Sequence, residues 1–387
     1  MRYHSYLNSA KKIIETNRGE VPFAVFLKKY FAANKKYGSK DRKQIASLCY
    51  NFYRLGKAIP ELPVEEKIIA ASFLCEEVAN DFLHFHKPEW NEIITTPVAD
   101  KLKILGFAVN DIFPWADELS DGIGFELFCK SFFIQPDLFV RIRPGNKDAV
   151  VKKLQDAALQ FSMLNEDCLV LPNATRLDEI LNTGNEVIIQ DYNSQQVLNF
   201  LKGETSFLET LVPVWDCCAA SGGKSILAYD ILDGKIKLTV SDIRESILSN
   251  LKKRFETAGI KNYKSFIANL GEGAGQLSTI NCQLIICDAP CTGSGTWSRT
   301  PEQLYFFKKK TIDVYAAMQQ KIIANTVPQL QQGGIFIYIT CSVFKKENED
   351  MVDFLKEKFH LQLLQMELLK GYDKKADSMF VAVFIKN

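Results

Sequence analysis

From residue 203 to the end, short apolar runs rich in β-branched residues alternate with longer amphipathic stretches. The runs are VPVWDCC, KLTVSD, KSFIAN, LIICDAP and GGIFIYITC, and each closes in a polar or glycine-containing turn. SILAYDIL, RESILSNLKKRFETAG, YAAMQQKIIANTVPQL and NEDMVDFLKEKF separate or follow them, with apolar residues three and four apart, the period of a helix. This alternation predicts a parallel sheet covered by helices on both faces, with ligands at the carboxyl ends of its strands.

The first 128 residues carry the helical period instead. KKIIETNRGEVPFAVFLKKYFAAN is one such stretch, and the break at Gly38 sets up Ser39 or Asp41 as the cap of the next, RKQIASLCYNFYRLGK. Pro60, Pro63, Pro97, Gly106 and Pro114 mark turns. Between the two regions, residues 129–202 read as a small α+β unit in which LFVRIR and CLVLP flank the helical AVVKKLQDAALQF. The expected domains are therefore 1–128, 129–202 and 203–387.

Composition changes this picture little. The 387 residues are 47% hydrophobic and 24% charged, ordinary for a globular chain. No apolar run approaches the roughly 20 residues of a membrane span. The opening MRYHSYLNSAKKIIE lacks the apolar core of an export signal, so a cytoplasmic protein is expected. Charge is more informative. The net of +1 hides a segment 1–57 with thirteen basic and three acidic residues, followed by 58–130 with five basic and fourteen acidic. A basic segment of that kind attracts phosphates, although lysine-rich solvated helix faces give the same count. The ten cysteines include no C-x-x-C pair, so no metal site is expected and most should be buried thiols.

Candidate chemistry clusters at strand ends. WDCCAASGGKS places small residues, Ala219, Ala220, Gly222 and Gly223, between the first strand and its helix. Such a turn brings backbone N–H groups and a positive helix end close to a ligand. It lacks the spacing of a phosphate-binding P-loop and suits a carboxylate-bearing ligand such as the methionine end of S-adenosylmethionine. Asp242 closes the second strand, where a carboxylate accepts ribose hydroxyls or simply caps the next helix. The fourth and fifth runs end in DAPC and TC, which would bring Asp288, Cys291 and Cys341 to one pocket if those strands are neighbours. A thiolate adding to carbon 6 of a cytosine makes carbon 5 nucleophilic, and a carboxyl such as Asp288 assists at N3. A cation such as Lys224 would favour the thiolate.

These motifs resemble the Sun-type family of RNA (cytosine-C5) methyltransferases, whose bacterial members include 16S ribosomal RNA enzymes. WDCCAASGGKS is similar to its D-x-C-A-A-P-G-G-K-T loop, DAPCTGSGTWSRTPE to its D-x-P-C-S-G-x-G-x-x-R-R-x-P-E block, and TCSVFKKENE to its T-C-S-x-x-x-x-E-N-E block. IIQDYNSQQV and DSMFVAVF resemble the segments that precede and close the catalytic domain. The resemblance implies a Rossmann-like S-adenosylmethionine-dependent methyltransferase domain acting on RNA. Cys341 would be the nucleophile, Cys291 would assist breakdown of the adduct, and Cys218, Ala219, Ala220, Ser221, Gly222, Gly223, Lys224, Asp242, Asn269 and Asp288 would contact the cofactor. It also implies a NusB-like helical domain before it, a small RNA-recognition-like subdomain starting at LFVRIRPGN, and RNA contacts from Arg42, Arg141 and Arg299. Three departures stand out. Ser221 replaces a proline and should loosen its loop, Ser298 replaces the first of two arginines, and Asn269 stands where an aspartate contacts adenine. They leave room for a non-catalytic RNA-binding assembly factor, and a transfer RNA target is a further alternative. Nothing in the sequence suggests an oligomer.

Overall fold

The computed structural model describes residues 2–203, 211–273 and 280–387. They form two compact units that are not sequential. One comprises residues 1–119, 123–135 and 296–309, and the other 120–122, 136–295 and 310–387.

The first unit is helical. Helices Arg2–Thr16, Phe23–Ala33, Ser39–Arg54 and Val64–Cys75 bury Leu7, Ile13, Phe23, Ile45, Phe52 and Phe73 in one core. The third begins one residue earlier than a Ser39 cap would allow. Gly38 is its N-cap, and Asp41 accepts the Gly38 N–H at 3.2 Å from inside the first turn. Two members of the basic segment are structural. Arg54 is buried against the Phe132 carbonyl and Gln135, and Lys57 Nζ donates to the Tyr305 carbonyl at 2.5 Å. Tyr305 belongs to residues 296–309, whose helix Pro301–Phe306 follows the DAPC strand in sequence but folds with these helices. There Glu302 is buried and accepts the Phe23 N–H at 3.1 Å, capping a helix 279 residues away in the chain.

The second unit holds two sheets. Strands β1 (Leu138–Ile142), β2 (Ser162–Met163), β3 (Cys168–Leu171) and β4 (Val187–Ile189) form a small antiparallel sheet in the order β2-β3-β1-β4, with helix Lys147–Asp156 packed on it. The large sheet comprises β5 (Val212–Asp216), β6 (Ile236–Asp242), β7 (Tyr263–Ile267), β8 (Cys282–Asp288), β9 (Leu330–Thr340), β10 (Gln362–Leu369) and β11 (Met379–Ile385). Its order is β10-β11-β9-β8-β5-β6-β7, parallel from β9 to β7, with β11 antiparallel to β9. The continuous apolar runs follow from burial on both faces. Along β8, Leu284 and Ile286 enter one core while Ile285 and Cys287 enter the other, and Ile337 and Tyr338 divide in the same way on β9.

Arg141 departs from its expected role in RNA contact. It lies on β1 with 5% exposure, and its Nη1 meets Asp230 Oδ2 of helix Gly223–Ile231 at 2.6 Å. Arg143 pairs with the same carboxylate at 2.8 Å. Two guanidiniums on one buried carboxylate join the small sheet to the large one, because inward-facing positions of β1 meet a helix rather than solvent.

Candidate active site

The site is built at the carboxyl edge of β5, β6, β8 and β9. Pairing of β8 with β9 sets Asp288 opposite Ile339, so the loops that follow start side by side. Cys291 and Cys341 emerge from them, and their sulfurs lie 3.4 Å apart. Both are only partly buried and line a cavity of about 1060 Å³. The same cavity is lined by Cys218, Ala220, Asp242, Asn269 and Asp288, which brings together seven of the residues singled out from sequence. Ala219, Ser221, Gly222, Gly223 and Lys224 lie outside its lining and shape or charge it from behind.

The turn after β5 owes its form to small residues. Ala220 sits at φ 45° and Gly222 at φ 83°. A Cβ on Gly222 would come within 2.6 Å of the Phe255 ring. Asp242 Oδ2 accepts the Ala220 N–H at 3.1 Å, while its Oδ1 accepts the Arg244 N–H at 2.9 Å. Asp242 is therefore at once the brace of the turn and part of the cavity wall, while helix Glu245–Thr257 takes Arg244 as its N-cap. Ser221 does not loosen the loop as expected. Its hydroxyl and carbonyl accept from Arg254 Nη1 at 2.7 and 2.9 Å, a tie that replaces the rigidity of a proline ring.

Lys224 Nζ pairs with Asp288 at 2.7 Å. Burial alone would lower the lysine, but Asp288 and then Cys341 and Asp216 outweigh it and raise it above its ordinary value, so its charge is held close to the Cys341 sulfur. Cys291 is pushed well above the usual thiol range by its hydrogen bond to Cys341 and then by burial, and so keeps its proton. Beneath them Asp216 is fully buried, accepts the Ser225 hydroxyl at 2.6 Å, and is pushed up to about 7 by burial.

Other members of the site were not read from the sequence. Arg244 lines the cavity and salt-bridges Asp242 at 3.1 Å. Helix Lys310–Thr326 contributes Val314, Tyr315, Met318 and Lys321, an i, i+1, i+4, i+7 face, while Ile312, Ala316 and Ile323 fill the core on its other side. Glu347, fully buried six residues after Cys341, gathers donors from both cysteine loops. Arg42 and Arg299 belong to the helical unit. Arg42 is half-buried, with Nε on the Tyr37 carbonyl at 2.8 Å, and Arg299 is half-buried as well. No helix among the described residues is long and apolar enough to cross a membrane, and no cluster of metal-binding side chains occurs among them.

Residues 197–384 match the family described as 16S rRNA methyltransferase RsmB/F. A probable ribosomal RNA small subunit methyltransferase B of Bacillus subtilis is 26% identical over 248 residues, covering 62% of this chain and 54% of its own. The chain thus spans about half the length of the curated relatives it matches. Among solved structures, PH0851 superposes with a TM-score of 0.73 at 17% identity, covering 98% of both chains. NSun6 from Pyrococcus horikoshii, solved with SFG, gives a TM-score of 0.59 at 15% identity over 72% of this chain and 96% of its own. At those identities the two structures speak to the fold.

Proposed function

We propose that the chain, whose residues 197–384 match the family described as 16S rRNA methyltransferase RsmB/F, transfers a methyl group from S-adenosylmethionine to carbon 5 of a cytosine in RNA, with 16S ribosomal RNA as the target. The observation that carries this reading is the sulfur pair at 3.4 Å on the wall of a cavity that Asp242 and Asp288 also line.

The residues present fit the cofactor. Ala220 of the small-residue turn lines the cavity, while Gly222 lets that turn press against Phe255 behind it, and Asp242 offers a carboxylate to ribose hydroxyls. Ile243 and Leu270 supply apolar contact for a base, and the amide of Asn269 bonds its edge. When bound, the cofactor supplies an electrophilic methyl on a sulfonium. The Cys341 sulfur adds to carbon 6 as a thiolate, with the Lys224 ammonium close by. As electrons move onto the ring, the proton that Asp288 shares with Lys224 Nζ passes to N3, and it returns when the adduct breaks down. Once the Cys341 sulfur is bonded to carbon 6, the hydrogen bond that held the proton on Cys291 is gone; Cys291 gives that proton to water and accepts the carbon 5 proton, the carbon 5–carbon 6 double bond re-forms, and Cys341 leaves as a thiolate. The N-terminal helices, NusB-like in this reading, and the small RNA-recognition-like sheet hold the RNA, with Arg42 and Arg299 as phosphate contacts.

Mapping 5-methylcytosine in ribosomal and transfer RNA of a strain lacking the gene tests the reading. One cytosine of 16S ribosomal RNA should lose its methyl group and regain it with the wild-type gene, but not with C341A. Loss in transfer RNA instead would reassign the substrate, and an unchanged map would overturn the proposal.

A further inference from the structure

The two sulfurs stand on separate loops, and the sequence Glu347-Asn348 holds both, Glu347 mostly through the Cys291 loop and Asn348 through the Cys341 loop. Glu347 Oε1 accepts the Thr292 N–H at 2.9 Å and the Gln319 side-chain amide at 3.2 Å. Its Oε2 accepts the Thr292 hydroxyl at 2.6 Å and the Ser342 hydroxyl at 2.5 Å. The Gln319 amide also donates to the Pro290 carbonyl at 2.9 Å. Three of the four donors to Glu347 thus belong to, or brace, the loop that carries Cys291. Asn348 serves the other side. Its Oδ1 accepts the Thr340 hydroxyl at 2.6 Å and its Nδ2 donates to the Ser342 carbonyl at 3.0 Å, so it grips the residues immediately before and after Cys341. A third bond of Asn348, to the Ser120 hydroxyl at 2.9 Å, anchors the grip.

Both side chains have no exposure, so neither meets the substrate. Four donors on two carboxylate oxygens leave Glu347 saturated as an anion, although burial raises its pKa above the usual carboxylate value. The groups around it that carry or acquire charge are Cys291, Tyr315 and Tyr338, all neutral at rest. Its task is geometric.

We infer that Glu347 and Asn348 are positioning residues with divided labour, Asn348 placing Cys341 for attack and Glu347 placing Cys291 for release. The inference rests on the proposed roles of the two cysteines. In the release step a proton leaves Cys291 for water, the net proton of the reaction. The Cys291 thiolate then takes the carbon 5 proton, the freed C–H pair becomes the carbon 5–carbon 6 double bond, and the Cys341–carbon 6 bond breaks with its electrons on sulfur.

The test compares E347Q and N348A for covalent protein–RNA complex on denaturing gels in the presence of S-adenosylmethionine, alongside C291A and C341A. A misplacement of about 1 Å costs up to about a hundredfold in the step concerned. E347Q should accumulate complex as C291A does, while N348A should form about tenfold less or none, as C341A does. A second readout needs neither RNA nor cofactor. Diamide, a thiol oxidant reduced to its hydrazine as two thiols become a disulfide, should join Cys291 to Cys341 quickly in the wild type. The rate should fall at least about tenfold in each variant, because closure requires the sulfurs to stay aligned. Thr292→Val, which removes one donor to Glu347 with little change of shape, should follow E347Q if that variant folds poorly. Parallel loss of complex and turnover in both variants, with no accumulation in E347Q, overturns the division of labour. Should C291A itself trap nothing, the fault lies with the roles of the cysteines.

Discussion

Asp216 shows how a single side chain under the site sets a cost for the whole fold. Burial holds its proton on up to about pH 7, against 3.8 for the free side chain. The folded state therefore binds the proton more tightly than the unfolded chain. The stability this confers is complete below 3.8 and is lost as the pH rises through about 7. D216N has no charge to bury, so its melting temperature should match the wild type near about pH 4 and exceed it by several degrees near about pH 8. Equal melting curves at both pH values would rule out the buried charge. Residue identities at the site were otherwise legible where chemistry leaves a mark in composition: thiols after DAP and IT, an acid at the end of β6, glycines in a turn. Asp216 was not, because an aspartate closing a strand looks the same whether it faces a ligand or the core.

At the scale of elements, the turn between β5 and its helix was legible because only small residues tolerate such an approach. Its most demanding position is Gly222, left-handed and pressed against Phe255. G222A should cost about 1–3 kcal/mol of stability and at least about tenfold in S-adenosylmethionine affinity, measured by calorimetry. Unaltered affinity would mean that the turn does not hold the cofactor. The stiffening of Ser221 by Arg254, 33 residues later, was invisible, since the partner comes from another helix. The cavity face of helix Lys310–Thr326 was equally hidden. Val314, Tyr315, Met318 and Lys321 repeat at the period of any amphipathic helix, and nothing local says that this face meets a cavity. Strand β10, at the sheet edge and mostly exposed, lacks the apolar run that betrayed its neighbours.

For the whole molecule, strand–helix alternation was enough to specify the large sheet, because covering helices force parallel strands into continuous apolar runs. It was not enough to divide the chain. Residues 296–309 lie between two strands of that sheet yet fold with the helical unit, through contacts such as Glu302 with Phe23 that span 279 residues. Arg141 was misread for the same reason, as its partner Asp230 is 89 residues away and on another layer. What survives every such rearrangement is the meeting of two thiols beside one cavity, and the account depends on which of them attacks. The most direct measurement uses RNA carrying 5-fluorocytosine at the target. Once methylated, this base has no carbon 5 proton to give up, so the covalent complex cannot resolve. Peptide mass spectrometry of that complex should find the nucleotide attached to Cys341 in the wild type and in C291A, and no complex in C341A. Attachment at Cys291, or a full yield of complex from C341A, would contradict the account.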